Sequence, residues 1–532
     1  MLPGIHTATV ATTRSAGPRR LRLALVLALV LATLALLVPT GAAQAQGPLP
    51  GAFTPGPCPF PGIEGARIDC GTLTVAESRR NPTNKTIQLA VAVLRSSNPS
   101  PAPDPAIFLA GGPGQATLAL APLLLEAYAP VLARRDLVLF DQRGTGFSQP
   151  ALTCDFSGTT TGALHGPGLV IANERAVEVQ VVAEALADCG QRYRAVGIDL
   201  SAYNSVENAA DIEDLRRALG AGQINLIGGS YGTRLALTAM RYRPETLRSV
   251  VLDSVYPLQE NFHTGAFASY RQSLERLFAA CAADAACNGA YPNLGQLYDD
   301  MVAKLNAAPP ALPITNFQTN QVIDYLPLDG NTASVILFQL FYGTGAIPVL
   351  PVLIGETARG NYGPFASILS ALLSGGEGGS PIAIGMQTAV QCNEDATFAD
   401  QDDFITARDK NRRAAPLAYS IVFNDAYLDV CAAFGLDARP AGAENSAVRS
   451  DLPTLIIGGE FDPITPPQNA ATAAETLPNS FTVIYPRGGH TPSASSPCIA
   501  SAVAAFLDAP DQQPDTSCLA REAPLPFVTP RP

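Results

Sequence analysis

The residues best suited to chemistry are Gly-Gly-Ser-Tyr-Gly at 228–232. An apolar stretch at 224–227 predicts a strand before them, and residues 233–241 predict a helix after them. A G-x-S-x-G motif between a strand and a helix is typical of a nucleophilic serine, because the sharp turn exposes the hydroxyl while the glycines let neighbouring backbone approach. An ordinary Gly/Ser-rich turn is the alternative. The flanking strand and helix favour Ser230 as the nucleophile.

The general base that such a serine needs must come from four histidines. His6 lies in a segment that we expect to be removed. His165 and His263 lie in predicted loops, where an ordinary surface position explains each of them. His490 follows the strand-like stretch 481–485 and a Gly-Gly pair. Because a loop after a late strand is a usual place for the base, His490 is the candidate.

The acid that orients the histidine is expected between the serine and the histidine, in the chain order Ser, acid, His. An apolar stretch at 454–457 predicts a buried strand, and two carboxylates follow it. Asp462 precedes a proline that fixes the turn, so it is the candidate acid. Glu460 is the alternative.

An oxyanion hole is expected from the residue after the nucleophile and from an early strand-to-helix loop. The predicted strand at 106–109 runs into Gly-Gly-Pro-Gly at 111–114. Glycines suit this role because their backbone N–H groups can face a substrate oxygen. The backbone N–H groups of Tyr231 and Gly112 are the candidate donors.

Several motifs carry a resemblance to a known family. The chain resembles the prolyl iminopeptidase branch of the α/β-hydrolases in Gly-Gly-Pro-Gly (111–114), Asp-Gln-Arg-Gly-Thr-Gly-Phe-Ser (141–148) and Gly-Gly-Ser-Tyr-Gly (228–232). It is more similar still to secreted tripeptidyl aminopeptidases of the actinomycete type in Gln-Cys-Asn-Glu-Asp (391–395) and Gly-Gly-Glu-Phe-Asp-Pro-Ile-Thr-Pro-Pro (458–467). The resemblance spans roughly residues 65–508.

The chain departs from the family pattern beside the first of these motifs. Ala110 stands where iminopeptidases usually have a histidine, and Gln115 and Ala116 stand where Gly-Ser is common in the secreted branch. The resemblance implies an α/β-hydrolase fold with a mostly parallel central sheet, helices on both faces and an inserted α-rich cap. It also implies a serine exopeptidase, and it alone implies that the released unit is a tripeptide.

A peptide with a free N-terminus brings an ammonium group, which needs a carboxylate partner when it is buried. Glu394 and Asp395 end the family-like stretch at 391–395. We expect Glu394 to bind the ammonium, with Asp395 beside it. A pair of solvated loop acids is the alternative.

The pattern of predicted elements divides the chain into five parts. Strand and helix patterns alternate before the cap, which is typical of a parallel sheet, whereas helical segments between Pro/Gly-rich breaks make up the cap itself. The predicted parts are a signal peptide (1–45), a first core part (46–258), an α-rich cap (259–385), a second core part (386–520) and a tail (521–532).

The N-terminus has the pattern of a secretory signal. Four arginines between positions 14 and 22 precede an apolar run at 23–38, and Ala-Gln-Ala ends at Ala45. An uncleaved anchor is the alternative, but the run is shorter than the roughly 20 residues of a spanning helix. We therefore expect a secreted protein, exported by either the general or the twin-arginine route.

Ten cysteines follow the signal, in the oxidising compartment that it implies. The sequence leaves their connectivity open, and the simplest hypothesis pairs neighbours. Those pairs are Cys58–Cys70, Cys154–Cys189, Cys281–Cys287, Cys392–Cys431 and Cys498–Cys518. The chain contains no C-x-x-C motif, and few histidines, so we expect no metal and no other cofactor.

Charge narrows the classes of partner. Removal of residues 1–45 takes away four arginines and no acid, so the net charge of −12 becomes −16. Such a surface disfavours nucleic acid and anionic membranes and favours substrates with a free amino group.

The alternatives to a tripeptide-releasing enzyme are a carboxylesterase or lipase, a prolyl iminopeptidase that releases single residues, and a catalytically silent binding protein. The oligomeric state stays open.

Overall fold

A central sheet organises the computed structural model, which describes residues 51–154, 175–316, 319–374, 382–436, 442–522 and 526–529. The predicted signal peptide, His6 and His165 lie outside the described residues. The strands are β1 (Phe53–Gly56), β2 (Ile68–Ala76), β3 (Thr86–Leu94), β4 (Ala106–Leu109), β5 (Leu137–Phe140), β6 (Ile224–Gly229), β7 (Leu247–Asp253), β8 (Ala311–Asn316), β9 (Gln321–Pro327), β10 (Thr454–Gly459) and β11 (Ser480–Tyr485).

Nine of these strands form one sheet in the order β1-β2-β3-β5-β4-β6-β7-β10-β11. The first three pairings, β1–β2, β2–β3 and β3–β5, are antiparallel. Every pairing from β5–β4 to β10–β11 is parallel. The sheet is therefore mostly parallel, as the sequence predicted.

The central strands are buried along their whole length, which explains their continuous apolar sequences. Successive side chains point to opposite faces of the sheet. In β4, Ile107 and Leu109 join one core cluster, whereas Ala106 and Phe108 join another. The sheet thus has a separate apolar core on each face.

Helices cover both faces, with further helices between β7 and β10. The helices are α1 (Ala121–Ala127), α2 (Ala129–Leu132), α3 (Arg175–Ala195), α4 (Ser205–Ala218), α5 (Tyr231–Tyr242), α6 (Phe262–Ala283), α7 (Ala285–Ala290), α8 (Leu294–Ala307), α9 (Gly330–Leu340), α10 (Leu350–Ala358), α11 (Gly363–Ser374), α12 (Ile384–Glu394), α13 (Gln401–Lys410), α14 (Tyr427–Phe434), α15 (Pro467–Ala474) and α16 (Pro497–Asp508).

Different helices fill the two cores. Leu186 of α3, Leu215 of α4 and Leu235 of α5 pack into the first core. Val131 of α2 and Phe506 of α16 pack into the second. This arrangement, helices on both faces of a mostly parallel sheet, is the α/β architecture that the sequence predicted.

The segment between β7 and β10 carries a third core of its own. Tyr270, Phe338 and Phe341 lie in this cluster, and all three are buried. The segment also contains the antiparallel pair β8–β9, which the sequence analysis did not predict. Helix α12, which begins at Ile384, and the later helix α14 supply side chains to the first sheet core instead. The cap boundary at 385 stays a prediction.

Five disulfides link the ten cysteines, and each joins the neighbours that the sequence analysis paired. The Cys392–Cys431 bridge ties α12 to α14. Over the described part of the chain, no helix is both long and apolar enough to span a bilayer.

Candidate active site

Ser230 lies in the turn between β6 and α5, with backbone angles of φ 55° and ψ −123°. A residue with a side chain rarely adopts a positive φ, so this turn is strained. The Ser230 N–H donates to the Asp253 carbonyl at the end of β7 (2.9 Å). The strain is typical of a serine held at the sheet edge for nucleophilic attack.

The two outer glycines of the motif stand where a side chain has no room. A Cβ on Gly228 would lie 2.5 Å from the Gly232 carbonyl oxygen. A Cβ on Gly232 would lie 1.9 Å from the Leu109 carbonyl oxygen of β4. The G-x-S-x-G spacing therefore follows from close backbone packing around the turn.

A cavity of about 520 Å³ opens beside this turn. Its wall includes Ser230, Tyr231, Gly112 and His490, four of the residues singled out from the sequence. Sheet, cap and α15 all contribute to the lining, and its volume lies in the usual range for small-molecule sites. Within the described residues, no cluster of His, Cys, Asp and Glu is arranged to hold a metal ion.

The Asp462 carboxylate lies behind His490, and its Oδ2 is 2.7 Å from the His490 Nδ1. The hydroxyls of Ser254 and Thr465 also donate to Oδ2, at 2.8 Å and 2.7 Å. The backbone N–H groups of Ile464 and Thr465 donate to Oδ1. Burial acts to raise the pKa of Asp462, but the His490 charge and these hydrogen bonds outweigh it and hold the pKa below its usual value.

Glu460, the alternative acid, points elsewhere. Its Oε2 accepts a hydrogen bond from the Arg487 backbone N–H (2.6 Å). It lines a second, separate cavity rather than the one that contains Ser230. The structure thus brings Asp462, and not Glu460, to the histidine.

Backbone contacts hold His490 in place. Its N–H donates to the Tyr342 carbonyl (2.9 Å), and the two rings lie 4.8 Å apart between centroids. His263, by contrast, is buried among aromatic rings, and its Nδ1 is 2.6 Å from the Val422 carbonyl oxygen. Burial lowers the pKa of His263, and this residue does not line the cavity.

The two candidate oxyanion donors, Tyr231 and Gly112, both line the cavity that contains Ser230. Tyr231 is the first residue of α5, where backbone N–H groups have no partner within the helix. Gly112 has a φ of 108°, which glycine tolerates best. The loop that contains Gly112 is held by Gln142, whose side chain donates to the Ala110 carbonyl (3.0 Å). The Asp-Gln-Arg motif, which follows β5, therefore supports this loop.

Glu394 does not reach the cavity. Its Oε2 lies 2.9 Å from the Nε of Arg234, and both side chains are buried, at 3% and 1% exposed. The same carboxylate accepts hydrogen bonds from the backbone N–H and the hydroxyl of Ser205. Because Glu394 neutralises a buried arginine on α5, it does not have the place that we expected for an ammonium partner.

Asp395 does line the cavity, together with Gln387 and Gln391. These three residues are four apart, so they share one face at the C-terminal end of α12, which Asp395 caps. The Tyr256 hydroxyl donates a hydrogen bond to the Asp395 carboxylate. This i, i+4, i+8 spacing is the sequence signal that distinguishes Asp395 from Glu394.

Glu260, which the sequence analysis missed, adds a further carboxylate to the cavity wall, which also contains Asp253. It precedes α6, and its neighbour Asn261 donates to the Asp395 backbone carbonyl (2.9 Å). Among the described residues, nothing donates a hydrogen bond to the Glu260 side chain or pairs with its charge. Burial raises the pKa of Glu260. No local pattern marks this residue, because it lies in a connection without periodicity.

Two family comparisons agree with the geometry. The family described as alpha/beta hydrolase fold matches residues 105–290, which include Ser230. The family described as TAP-like protein matches residues 416–518, which include Asp462 and His490. The fold and the arrangement around the strained serine define an α/β-hydrolase.

Comparison with similar proteins narrows the class of α/β-hydrolase. Serine protease Hip1 of Mycobacterium tuberculosis (strain ATCC 25618 / H37Rv) is 23% identical over 429 residues, covering 77% of this chain and 79% of that protein. Tripeptidyl aminopeptidase of Streptomyces coelicolor is 29% identical over 193 residues, covering 35% of each chain. The chain is thus an α/β-hydrolase whose residues 416–518 match the TAP-like family, and these similarities support a serine hydrolase that acts as a peptidase.

Among solved structures, the proline iminopeptidase of Mycobacterium smegmatis is 14% identical, with a TM-score of 0.35. The alignment covers 83% of this chain and 98% of that one. Nothing further follows from this likeness.

Proposed function

We propose that this chain is a secreted exopeptidase that releases short peptides, in particular tripeptides, from free N-termini. The observation that carries the proposal is a single cavity that holds Ser230 and His490 together with three carboxylates, those of Asp253, Glu260 and Asp395. An esterase of neutral substrates has no need of carboxylates in its binding cavity, whereas a free N-terminus brings a positive charge that needs them. The tripeptide length is supported by the similarity to tripeptidyl aminopeptidases.

In the proposed mechanism, Ser230 Oγ attacks the scissile carbonyl carbon while His490 Nε2 takes the hydroxyl proton. The Nδ1 nitrogen faces the Asp462 carboxylate and carries the ring's proton, which leaves Nε2 free as the acceptor. Asp462 stabilises the imidazolium that forms. The N–H groups of Tyr231 and Gly112 bind the oxyanion.

Collapse of the tetrahedral intermediate breaks the C–N bond, and the imidazolium of His490 returns its proton to the leaving amine. A water molecule then attacks the acyl-enzyme with the same histidine as base, and the released peptide leaves with a new carboxylate. No cofactor takes part in the proposed steps.

We assign ammonium binding to Glu260 and Asp395, replacing the earlier expectation of Glu394. Glu260 has no partner within the described chain, so its charge is available to a substrate. Asp395 is 2% exposed and held by Tyr256 and Asn261, so its carboxylate is rigidly placed. Rigid carboxylates bind an ammonium with little loss of side-chain entropy.

Glu260→Gln and Asp395→Asn are each expected to raise KM for peptides with a free amine by 10-fold or more, since truncating a buried charge pair costs roughly 2–5 kcal/mol. Their hydrolysis of an N-blocked ester should change little. The measurement is kcat and KM for one peptide anilide and one N-blocked ester. Glu184→Gln, an exposed change on α3, is the charge-matched control. Equal losses on both substrates would contradict the assignment.

The test of the function is a panel of peptide anilides one to four residues long, each with a free and a blocked amine. Cleavage of the free-amine tripeptide above all others supports the proposal. Preference for single-residue anilides would make the protein an iminopeptidase, and cleavage of esters alone would make it an esterase or lipase. Failure to react with a fluorophosphonate would leave a silent binding protein.

Secretion is the second part of the proposal, supported by the basic and apolar N-terminal pattern and by five disulfides. We expect the protein in the culture supernatant to begin at Gln46. N-terminal sequencing checks this, and an intact N-terminus in the cell fraction would contradict it.

A further inference from the structure

Asp253 is a buried carboxylate beside the nucleophile that the proposed mechanism does not use. It is the last residue of β7, and its carbonyl accepts the Ser230 N–H. Its side chain is 1% exposed and forms part of the cavity wall. A buried carboxylate at a reacting centre needs a partner or a role, because burial of a charge is costly.

One oxygen of the Asp253 carboxylate is hydrogen-bonded to the loop that contains His490. Its Oδ2 accepts hydrogen bonds from the backbone N–H (3.0 Å) and the hydroxyl of Ser493, three residues after His490. The Ser493 hydroxyl also lies 2.7 Å from the Tyr128 hydroxyl. Within the described residues, Oδ1 has no hydrogen-bond partner. One oxygen of this carboxylate is therefore buried without a hydrogen bond from the described residues that would offset the cost of its burial.

The next residue holds the same loop from the other side. The Ser254 hydroxyl donates to Asp462 Oδ2 (2.8 Å) and accepts the Thr491 N–H (2.8 Å). Consecutive residues at the end of β7 therefore fix both flanks of His490. Asp462 is thus bonded to the imidazole directly, whereas Asp253 is bonded, through Ser493, to the loop that carries the imidazole.

The charged and titratable groups that face Asp253 are His490, Asp462 and Tyr128. Burial raises the pKa of Asp253 to about 6, and the Ser493 hydrogen bonds and the His490 charge act against this rise. Tyr342, which packs on His490, has a pKa raised by burial and stays neutral. Among the residues that the structure describes, the positive charge that acts on Asp253 is the imidazolium of His490.

We propose that Asp253 is a second carboxylate for His490, a positioning residue that holds the histidine loop through Ser493 and stabilises the imidazolium formed during attack. This inference rests on the proposed role of His490 as the base. Ionised Asp253 favours the charged form of the imidazole. Loss of the Asp253 charge therefore makes the imidazolium less stable.

Asp253→Asn is expected to move the acid limb of the kcat/KM profile to lower pH by roughly one unit. Tyr128→Phe, which removes a hydroxyl from the same network but no charge, should leave that limb at its wild-type pH whatever it does to kcat. A purely structural role would lower activity at every pH without moving the limb. An unmoved limb in Asp253→Asn, or an equal shift in Tyr128→Phe, overturns the inference.

The unmodified protein offers a second test that does not depend on the folding of a variant. In protein with ¹³C-labelled histidine, the His490 resonance, assigned by its loss in His490→Gln, should titrate with two inflections because its proton is coupled to that of Asp253. A single simple titration overturns the inference. Full activity of His490→Gln would instead overturn the proposed mechanism itself.

Discussion

Ser230→Ala is expected to abolish peptide hydrolysis, with a loss on the order of 10⁶ in kcat, as for removal of a nucleophile that acts together with its base. The reason is that Ser230 supplies the attacking hydroxyl, which the strained turn with φ 55° directs to the edge of the cavity. The measurement is kcat for the best peptide anilide, together with labelling by a fluorophosphonate.

Folding should survive this change, because alanine is smaller than serine and the surrounding packing is backbone. Circular dichroism and the thermal midpoint check that point. Ser501→Ala, an exposed change on α16, is the matched control and should keep full activity and labelling. More than a few per cent of wild-type activity in Ser230→Ala would show that another residue is the nucleophile.

Asp462→Asn is expected to lower kcat by about 10⁴, because an amide supports the wrong imidazole tautomer and cannot stabilise the imidazolium. Asp462 receives hydrogen bonds from Ser254 and Thr465 besides its contact with His490, so its carboxylate has a single orientation. The measurement is single-turnover acylation, which isolates the step in which His490 takes the proton.

Glu460→Gln is the control for that change, since Glu460 follows the same strand and its carboxylate accepts a hydrogen bond from the Arg487 backbone N–H. It should retain most of the activity. If Glu460→Gln proved the more damaging substitution, the acid would be misassigned and the Asp462–His490 contact would have another purpose.

The strands around the site were predictable because buried parallel strands are continuous apolar runs. The stretches predicted at 106–109, 224–227 and 454–457 all lie within sheet strands. The bridges followed the simplest neighbour pairing, since short separations keep the loops between paired cysteines small. The antiparallel pair β8–β9 was missed because β9 is largely exposed and lacks an apolar run.

The ammonium site was less predictable, because sequence identifies acids but not the direction in which they point. Glu394 and Asp395 are adjacent and both lie near the buried Arg234, at 2.9 Å and 3.9 Å, yet only Asp395 also lines the cavity. Arg234 on α5 could have indicated which of the two acids forms the close buried ion pair. Its own burial, however, depends on contacts from residues far along the chain. Glu260 lacked even that signal.

The buried pair of Arg234 and Glu394 has a consequence for product length. Arg234 belongs to the helix that starts directly after Ser230, and its partner Glu394 is the residue before Asp395. The nucleophile and the proposed ammonium carboxylate are thus connected through one buried ion pair, which fixes their relative positions. Under the proposed function, the distance between Ser230 and Asp395 determines how many residues are released from the N-terminus, independently of their side chains.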